Sequence, residues 1–258
     1  MKYLNLLRNV QNWPAFLSLK FGLTNATQFI FTLKPTPIQV SMPRAMKVLF
    51  KEIFMIEIYQ PSLDMIQNDK PVVVDVGGNM GYFGLYTFLR KPLATVYSFE
   101  PVPTNFKFLT AHQKAHPQFN WIAYNQAMAD REGTMDFYYN DHDSPEGIDT
   151  AASLFSSENI DSVTSDHHKI TVETQTLAGW IDKQKIETID LLKLDCEGAE
   201  YSIIYTLPES YFSRIKLIAA DVHPMKAANE NIDALAQFLS GKGYKIKTDN
   251  QEMLYATR

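Results

Sequence analysis

The sequence predicts an α/β protein in which helices wrap a parallel sheet, and three observations support this fold class. From Pro71 onward, short β-branched runs alternate with helical patterns, as is typical of parallel sheets with crossover helices. A glycine-rich loop follows the first of these runs, which is a context suited to nucleotide binding. The last two runs flank a turn at Asp249-Asn250, which predicts an antiparallel hairpin at the end of the chain.

Residues 1–60 predict an N-terminal cap made of helices and a hairpin. A helical start precedes two predicted strands, at 28–33 and 38–42, and a turn containing two prolines connects them. A helix is expected next, from about Arg44 to Tyr59.

The α/β domain is predicted to occupy residues 61–258. Its first strand, 72–76, is a β-branched run of the kind that is buried on both faces of a sheet. The elements predicted after it are a helix at 82–90, a strand at 95–99, a helix at 103–112, strands at 121–125, 169–176, 189–194 and 217–222, a helix at about 229–240, and strands at 244–248 and 253–257.

Residues 140–169 interrupt this pattern with Asp, Ser, Asn, His and Gly, and they predict a long insertion. A loop of this length inside a compact domain is usually functional or mobile. We interpret the insertion as a lid or substrate-contacting segment, with a plain surface loop as the alternative.

Charge is distributed unevenly along the chain. The 258 residues include 24 Lys plus Arg and 29 Asp plus Glu, but residues 1–51 hold seven of the basic residues and no acidic one. The hydrophobic content of 45% excludes a disordered chain and is enough for a full-sized core. The basic segment either docks electrostatically on the acidic remainder or helps to capture an anionic or membrane-associated glycoconjugate.

Cysteine content and hydropathy bear on the compartment. Cys196 is the single cysteine, which excludes an intramolecular disulfide, and no Cys/His set has zinc-site spacing. We therefore predict a cytoplasmic protein. No stretch approaches the ~20 apolar residues that span a bilayer, and the first residues lack the continuous apolar run of a signal peptide. Peripheral membrane contact and an organellar transit peptide remain alternatives for the basic N-terminus.

The most informative motif is the loop at 75–82, which reads D-V-G-G-N-M-G-Y. Its glycines allow the backbone to approach a ligand closely, and the helix that follows offers free N–H groups. The spacing of Gly77, Gly78 and Gly81 differs from the G-x-G-x-x-G of dinucleotide sites, which disfavours an NAD-dependent oxidoreductase. It fits D-x-G-x-N-x-G and resembles the methyltransferase version of this loop.

Acidic residues follow the second and third predicted strands. Glu100 lies at the end of the second strand, where a carboxylate accepts two hydrogen bonds from a ribose diol. Ala129-Asp130 follows the third strand, where an acid is placed to hold an adenine amino group. The alternatives are an ordinary surface acid for Glu100 and a turn aspartate for Asp130.

Four ordered motifs between about Pro71 and Pro224 resemble the FkbM family of S-adenosylmethionine-dependent methyltransferases. They read V-V-D-V-G-G-N-M-G-Y-F, S-F-E-P-V-P-x-N-F, A-x-A-D-R-E-G and I-D-L-L-K-L-D-C-E-G-A-E. The resemblance implies a class I, Rossmann-like fold with a seven-stranded, mostly parallel sheet and an antiparallel last strand. It also implies S-adenosylmethionine as cofactor and methyl transfer, commonly to a hydroxyl of a sugar or natural product.

The family's cofactor contacts are carried over position by position. The residues that the resemblance places around the methionine and ribose portions are Asp75, Gly77, Asn79, Gly81 and Tyr82, with Glu100 at the ribose and Ala129 and Asp130 at the adenine. Gly78 stands where the family often has alanine. Tyr205 or Thr206 replaces a common glycine, which puts the local shape there in doubt. Asn105 is interpreted as a structural brace.

The chemical end of the site is predicted where the fourth and fifth strands end. Asp195 and Glu197 follow the fourth strand, and His223 follows the fifth. An acidic edge suits a cofactor that carries a sulfonium and an ammonium group, so Asp195 is also assigned to cofactor binding. His223 is expected to take the acceptor's proton, because the unperturbed pKa of histidine lies near physiological pH. Asp195, His223 and Glu197 are therefore the predicted catalytic residues.

Two metal-binding alternatives accompany this assignment, and neither is favoured. Asp195, Glu197, Glu200, Asp221 and His223 form an oxygen-rich set of a kind that Mg²⁺ or Ca²⁺ prefers. Histidines 142, 167 and 168 lie in the insertion, where a solvated loop is the simpler interpretation. Cys196 is not expected to be a nucleophile, because the neighbouring acids raise the pKa of its thiol.

The predicted function is S-adenosylmethionine-dependent O-methylation of a small-molecule or glycan acceptor. A catalytically inactive binding or scaffold protein with the same fold is the alternative. Nucleic acid is not expected as a partner, because the acidic body repels phosphates and the D-P-P-Y and N-P-P-Y motifs of base methylation are absent. No sequence feature predicts the oligomeric state.

Overall fold

The structure is a computed structural model that describes residues 2–139, 168–249 and 253–258. Most of the predicted insertion, residues 140–167 with His142 and His167, and Asn250 of the predicted turn lie outside the described residues. Within the described part, no helix is both long enough and apolar enough to cross a bilayer.

The N-terminal cap contains the predicted helices and hairpin. Helices α1 (Lys2–Asn9) and α2 (Pro14–Lys20) precede strands β1 (Gln28–Thr32) and β2 (Gln39–Pro43). The two strands pair antiparallel, with Gln28 opposite Pro43 and Thr32 opposite Gln39. The predicted hairpin is therefore present.

The prediction of a single helix from Arg44 to Tyr59 was wrong. The segment forms a 3₁₀ turn (Arg44–Met46), helix α3 (Lys47–Lys51) and a π-helical turn (Glu52–Ile56), and it ends at left-handed Glu57, with φ 63°. This ending places the buried carboxylate of Glu57 within hydrogen-bond distance of the Asn9 amide (3.0 Å) and the Tyr86 hydroxyl (2.9 Å). Polar partners from elsewhere in the chain thus break the helix that the local pattern predicts.

The remaining elements include those predicted and several that were not, among them strands at 127–128 and 133–139 and a helix at 177–184. They are α4 (Gln60–Met65), β3 (Val72–Val76), α5 (Tyr82–Arg90), β4 (Thr95–Phe99), α6 (Pro103–Ala115), β5 (Asn120–Tyr124), β6 (Ala127–Met128), β7 (Gly133–Tyr139), β8 (His168–Gln175), α7 (Leu177–Gln184), β9 (Leu191–Leu194), α8 (Glu200–Tyr205), α9 (Glu209–Phe212), β10 (Leu217–Asp221), α10 (Ile232–Gly241), β11 (Lys245–Thr248) and β12 (Met253–Thr257).

The central sheet has the strand order β11-β12-β10-β9-β3-β4-β5. Strand β3 runs parallel to β4 and β9, whereas β12 runs antiparallel to both of its neighbours. The chain fills one side of β3 first and then crosses to the other, which creates a switch point beside β3. The predicted seven-stranded, mostly parallel sheet with an antiparallel last strand is confirmed.

A second sheet of three strands was not predicted. Its order is β6-β8-β7, with β7 and β8 antiparallel from Gly133 opposite Thr174 to Tyr139 opposite His168. The predicted strand at 169–176 therefore belongs to this sheet. Strand β7 was missed because its partner is about thirty residues further along the chain.

The cap and the α/β domain share one hydrophobic cluster. The ring centroid of Phe50 in α3 lies 4.6 Å from that of Phe31 in β1 and 6.3 Å from that of Tyr82 in α5. Aromatic contacts of this kind add to the apolar area that packing removes from water. The cap is thus fixed on the face of the sheet that carries α5.

Candidate active site

A cavity of about 450 Å³ opens at the carboxyl ends of β3, β4, β9 and β10. Part of its wall comes from the cap, through α3, the π-helical turn and Tyr59. The switch point of the sheet lies at this edge, which is where open α/β sheets bind ligands. The predicted site residues that line the cavity are Gly77, Asn79, Tyr82, Glu100, Asp195, Glu197 and His223.

The glycine loop is packed directly against the end of β9. Gly77 has φ 78°, and a Cβ atom on it would lie 1.7 Å from the carbonyl oxygen of Asp195. The N–H groups of Gly77 and Gly78 donate to the carbonyl of Phe99, at 3.1 and 2.8 Å. Only glycine fits position 77, and the loop forms a narrow cradle between two strand ends.

Glu100 is buried in the cavity wall beside this loop. One carboxylate oxygen accepts the N–H of Asn79 at 2.7 Å, and the other accepts the N–H of Val102 at 2.8 Å. Burial raises the pKa of Glu100 to about 7, against the opposing effect of these two hydrogen bonds. Each oxygen keeps a further lone pair for a ligand hydroxyl.

Asp75 lies beneath the loop and not on the cavity wall. Its side chain is completely buried, accepts the Ser98 hydroxyl at 2.9 Å and pairs with Lys193 at 3.1 Å. Asp75 is thus paired with Lys193 and is not among the described residues that line the cavity, and its contact with the cofactor stays a prediction.

Lys193 connects the loop to the end of β9, and it is buried, with 2% of its side chain exposed. Its ammonium donates to the carbonyl of Gly77 at 2.7 Å and lies 3.4 Å from a carboxylate oxygen of Asp195. Burial alone would lower the pKa of Lys193, but Asp195 and Asp75 outweigh burial and raise it. Lys193 is thus a permanent positive charge inside the site.

Asp195 remains an anion on the cavity wall. Burial acts to raise the pKa of its carboxyl, but the charges of Lys193 and His223 and the hydrogen bond from Tyr59 lower it overall. The Tyr59 hydroxyl donates to Asp195 at 2.9 Å.

The contacts of Tyr59 and Lys193 with Asp195 were not predicted from the sequence. A lysine in the otherwise apolar run L-L-K-L was a usable signal for Lys193. Tyr59 gave none, because it is 136 residues from its partner.

Gly81 and Tyr82 serve packing at the start of α5. A Cβ atom on Gly81 would lie 2.7 Å from Cη2 of Trp121, and Gly81 is not among the described residues that line the cavity. The Tyr82 hydroxyl donates to the carbonyl of Ser41 at 2.9 Å. The ring of Tyr82 lines the cavity while its hydroxyl fastens the cap hairpin to the domain.

Ala129 and Asp130 also lie off the cavity wall that the described residues form. The N–H of Ala129 is buried and donates to the carbonyl of Gln175 at 3.0 Å, and Asp130 is exposed. The segment that lines the cavity here lies just before them and comprises Gln126, Ala127 and Met128. The adenine contact of Ala129 and Asp130 therefore stays a prediction, and the described cavity wall at this point is formed by 126–128.

His223 lies among carboxylates and not in a neutral setting. Its Nδ1 is 3.4 Å from Glu200 Oε1, and its Nε2 is 3.6 Å from Glu197 Oε2. Burial lowers the pKa of His223, but the hydrogen bond to Glu200 and the charges of Glu197, Glu200 and Asp195 outweigh it and raise the pKa to about 10. A pKa of about 10 makes His223 an imidazolium at neutral pH, which does not favour the role of base predicted for it from the sequence.

The carboxyl group of Glu197 has a pKa close to neutrality. Burial, together with the charges of Asp195, Glu200 and Asp221, raises its pKa to about 7 in spite of the charge of His223. A carboxylate with a pKa near neutrality suits proton transfer at physiological pH. Glu200, which is completely buried, fixes this turn by accepting the N–H groups of Cys196 and Gly198, both at 2.8 Å.

Three of the five residues considered as a metal site lie close enough to share an ion. The ligand atoms of Asp195, Asp221 and His223 all lie within 4.8 Å of one another. Lys193 and protonated His223 already supply two positive charges to these acids.

Two histidines are expected to differ in charge at pH 7, with His112 neutral and His223 protonated. Burial lowers the pKa of His112 to about 4, and its ring bridges the Met80 carbonyl (2.8 Å) and the Ser41 N–H (2.9 Å). Long-range ¹H–¹⁵N spectra recorded from pH 5 to 10 should show neutral His112 throughout and protonated His223 up to about pH 9.

Assignment by His223→Asn and His112→Asn variants identifies the two signals. The stability that protonated His223 confers should be complete below pH 6.5 and lost as the pH rises towards 10. A His223 signal that titrates near pH 6.5 would contradict the carboxylate setting described above.

Comparison with known proteins finds similarity to methyltransferases. The family profile described as Methyltransferase FkbM domain matches residues 75–246. The chain is 28% identical over 227 residues to 31-O-demethyl-FK506 methyltransferase FkbM of Streptomyces tacrolimicus, covering 81% of this chain and 85% of that protein. It is 28% identical over 154 residues to 2-O-methyltransferase NoeI of Sinorhizobium fredii, covering 58% of this chain and 62% of NoeI.

A third relative is much longer than this chain. The chain is 28% identical over 236 residues to AMB antimetabolite synthetase AmbE of Pseudomonas aeruginosa. The match covers 81% of this chain but only 11% of AmbE.

Proposed function

The chain belongs to the FkbM family of methyltransferases, and on that premise we propose that it transfers the methyl group of S-adenosylmethionine to a hydroxyl of a sugar, glycoconjugate or secondary metabolite. Its sheet order, with an antiparallel last strand, is that of the Rossmann-like class I methyltransferase fold. The observation that carries the proposal is the cavity in which buried Glu100 and the Gly77 cradle face anionic Asp195. The names of two relatives, FkbM and NoeI, support oxygen as the methyl acceptor.

The cavity residues fit this cofactor. Glu100 has the acceptor oxygens that a ribose diol requires, and the Gly77 cradle lets backbone approach a ligand where a Cβ atom would collide. Asp195 supplies the negative charge that a cationic methionine moiety requires. The volume of about 450 Å³ lies within the usual range for small-molecule sites.

In this proposal, Glu197, His223 and Asp195 have different roles in catalysis. S-adenosylmethionine supplies an activated methyl group on a positively charged sulfur. Glu197 takes the proton of the acceptor hydroxyl at its carboxylate, and His223 holds Glu197 in place through the contact at 3.6 Å. Asp195 stays ionised and balances the positive charge in the cavity. Positioning of the acceptor supplies a large part of the rate enhancement.

Calorimetric titration with S-adenosylhomocysteine tests the cofactor assignment. We expect the native protein to bind and Glu100→Ala to bind about 100-fold more weakly, because loss of hydrogen bonds to a charged group costs about 1.5–3 kcal/mol each. Glu187→Ala, at an exposed acid outside the cavity, should bind like the native protein.

The absence of heat with the native protein would overturn the cofactor assignment. Binding without methyl transfer to any hydroxyl compound would instead favour the inactive binding protein.

Replacement of the proposed base should affect turnover and not binding. Glu197→Gln is expected to lower kcat about 100-fold, at the low end of the effect of general bases, while the affinity for S-adenosylhomocysteine stays within about twofold, a change well below 1 kcal/mol. The assay follows transfer of labelled methyl from S-adenosylmethionine to a hydroxyl acceptor identified by screening glycosides.

His223→Asn serves as the matched comparison, because it removes the residue that positions Glu197. We expect an upward shift of the pH at which Glu197 ionises, since the positive charge beside it is lost. Unchanged turnover in Glu197→Gln would remove Glu197 from the mechanism. Loss of activity after treatment with a chelator would point to the metal alternative at Asp195, Asp221 and His223.

A further inference from the structure

The N-terminal cap exposes apolar side chains that helices normally bury. Eight of the ten large hydrophobic residues recorded as exposed in the described part of the chain lie between residues 3 and 56. On α1, Leu6 and Asn9 are buried against the protein, whereas Leu4 is 68% exposed. Tyr3 and Leu7 are exposed as well, so α1 presents apolar residues to solvent on its outer side.

The exposed residues of α1 meet the end of α2. The Lys20 ammonium lies 4.4 Å from the ring centroid of Tyr3 and 5.0 Å from that of Phe21, which is 63% exposed. Lys2 lies 5.7 Å from the same Tyr3 ring. Leu23, two residues beyond Phe21, is 77% exposed. We refer to Lys2, Tyr3, Leu4, Lys20, Phe21 and Leu23 as the basic apolar patch.

Helix α1, which carries half of the patch, is attached to a segment that lines the cavity. The Asn5 amide of α1 donates to the carbonyl of Met55 at 2.9 Å, within the π-helical turn whose residues Glu52 and Ile53 line the cavity. Val48, one turn before Glu52 on the same helical segment, is 52% exposed and lines the cavity too. The patch and part of the cavity wall therefore belong to the same cap.

Composition identifies the kind of partner. Residues 1–51 contain seven basic residues and no acidic one. Lysines around exposed aromatic and leucine side chains match a surface that is negatively charged outside and apolar beneath. An anionic bilayer has this structure, since lysines gain energy at its headgroups and the apolar side chains enter the acyl boundary. A soluble polyanion would not require Leu4, Phe21 and Leu23.

We propose that the basic apolar patch binds the surface of an anionic phospholipid bilayer and holds the cap, which forms part of the cavity wall, at the membrane. Three side chains with large exposed fractions, Leu4, Phe21 and Leu23, enter the interface, and Lys2 and Lys20 contact lipid phosphates. The proposal concerns adsorption to the surface and not a spanning segment. It does not depend on the proposed methyl transfer.

Sedimentation with vesicles tests the proposal on the full chain. We expect the protein to bind vesicles of phosphatidylcholine with phosphatidylglycerol and to bind pure phosphatidylcholine vesicles much more weakly. Lys2→Gln with Lys20→Gln should reduce binding about fivefold per lysine. Leu4→Ser, Phe21→Ser and Leu23→Ser together should reduce it at least about tenfold.

The control removes exposed apolar residues elsewhere. Leu93 is 59% exposed and Met65 is 36% exposed, and Leu93 lies just before β4, at the edge of the sheet opposite the cavity. The variant Leu93→Ser with Met65→Ser should bind vesicles like the native protein. Equal loss of binding in this control and in the patch variant would overturn the proposal.

A second measurement does not rely on the triple variant being folded. In Phe21→Trp, the added fluorescence should shift to the blue on vesicle binding and should be quenched by brominated lipid. The absence of binding to phosphatidylglycerol vesicles, or unquenched Phe21→Trp, would overturn the proposal. Two further results would overturn the proposal. The first is a native protein that forms a dimer through the patch, as shown by loss of the dimer in the patch variant, and that does not bind vesicles. The second is binding to heparin that survives the loss of Leu4, Phe21 and Leu23.

Discussion

Gly77→Ala is expected to destabilise the protein by about 4 kcal/mol or more and to abolish binding in the cavity, a loss large enough to require a specific structural cause. The added Cβ atom would lie 1.7 Å from the carbonyl oxygen of Asp195, so the loop and the end of β9 cannot both keep their positions. Urea unfolding followed by tryptophan fluorescence, together with calorimetric titration of S-adenosylhomocysteine, measures the two effects.

Gly22→Ala is the matched control for this experiment. Gly22 also has a positive φ, 68°, but no heavy atom lies within 4 Å of the position of its Cβ atom. Its substitution should therefore cost only the left-handed conformation, about 1–2 kcal/mol. If the two variants lose equal stability, the close packing of the glycine loop on β9 is not the cause.

Lys193→Met is expected to lower the free energy of unfolding by about 3–5 kcal/mol, the usual cost of removing one partner of a buried ion pair. Asp75, which is completely buried, would lose its cation, and Asp195 would lose one of its two positive neighbours. Urea unfolding at pH 7 measures the loss. Asp75→Asn added to Lys193→Met should restore part of the stability, because it removes the charge left without a partner.

An exposed ion pair provides the control for Lys193→Met. Lys169 and Asp136 are 2.7 Å apart, and their side chains are 55% and 47% exposed. Lys169→Met should therefore cost no more than about 1 kcal/mol. Equal losses in Lys169→Met and Lys193→Met would mean that burial does not give Lys193 its importance.

Both predictions concern the contact between the glycine loop and the end of β9. Gly77 lets the loop approach Asp195, and Lys193 neutralises the acids that this approach brings together. We therefore expect the cradle proposed for the cofactor to stabilise this edge of the sheet as well.

Much of the fold followed from local signals. The β-branched run at β3, the alternation that continues to β5, and the short strands β11 and β12 each depend on a few consecutive residues. The position of Glu100 was also local, because it follows directly from the end of β4. Steric and hydrophobic preferences over short stretches were sufficient for these elements.

Local signals failed where distant residues decide the structure. The π-helical turn at Glu52–Ile56 depends on buried partners of Glu57 that come from α1 and α5. Strand β7 depends on β8, which follows the predicted insertion. Tertiary contacts decide the structure of both segments, and a short window of sequence does not contain these contacts.

The sequence by itself determined which chemical groups meet at the carboxyl edge of the sheet, since strand order and the glycine loop place Glu100, Asp195, Glu197 and His223 there. Only the tertiary structure decided their states. It buries Lys193 between two acids and surrounds His223 with carboxylates, and it raises the pKa of Glu197, like that of Glu100, to about 7. The physical reason is that a pKa depends on burial and on charges nearby in space, and residues far apart in the chain supply both.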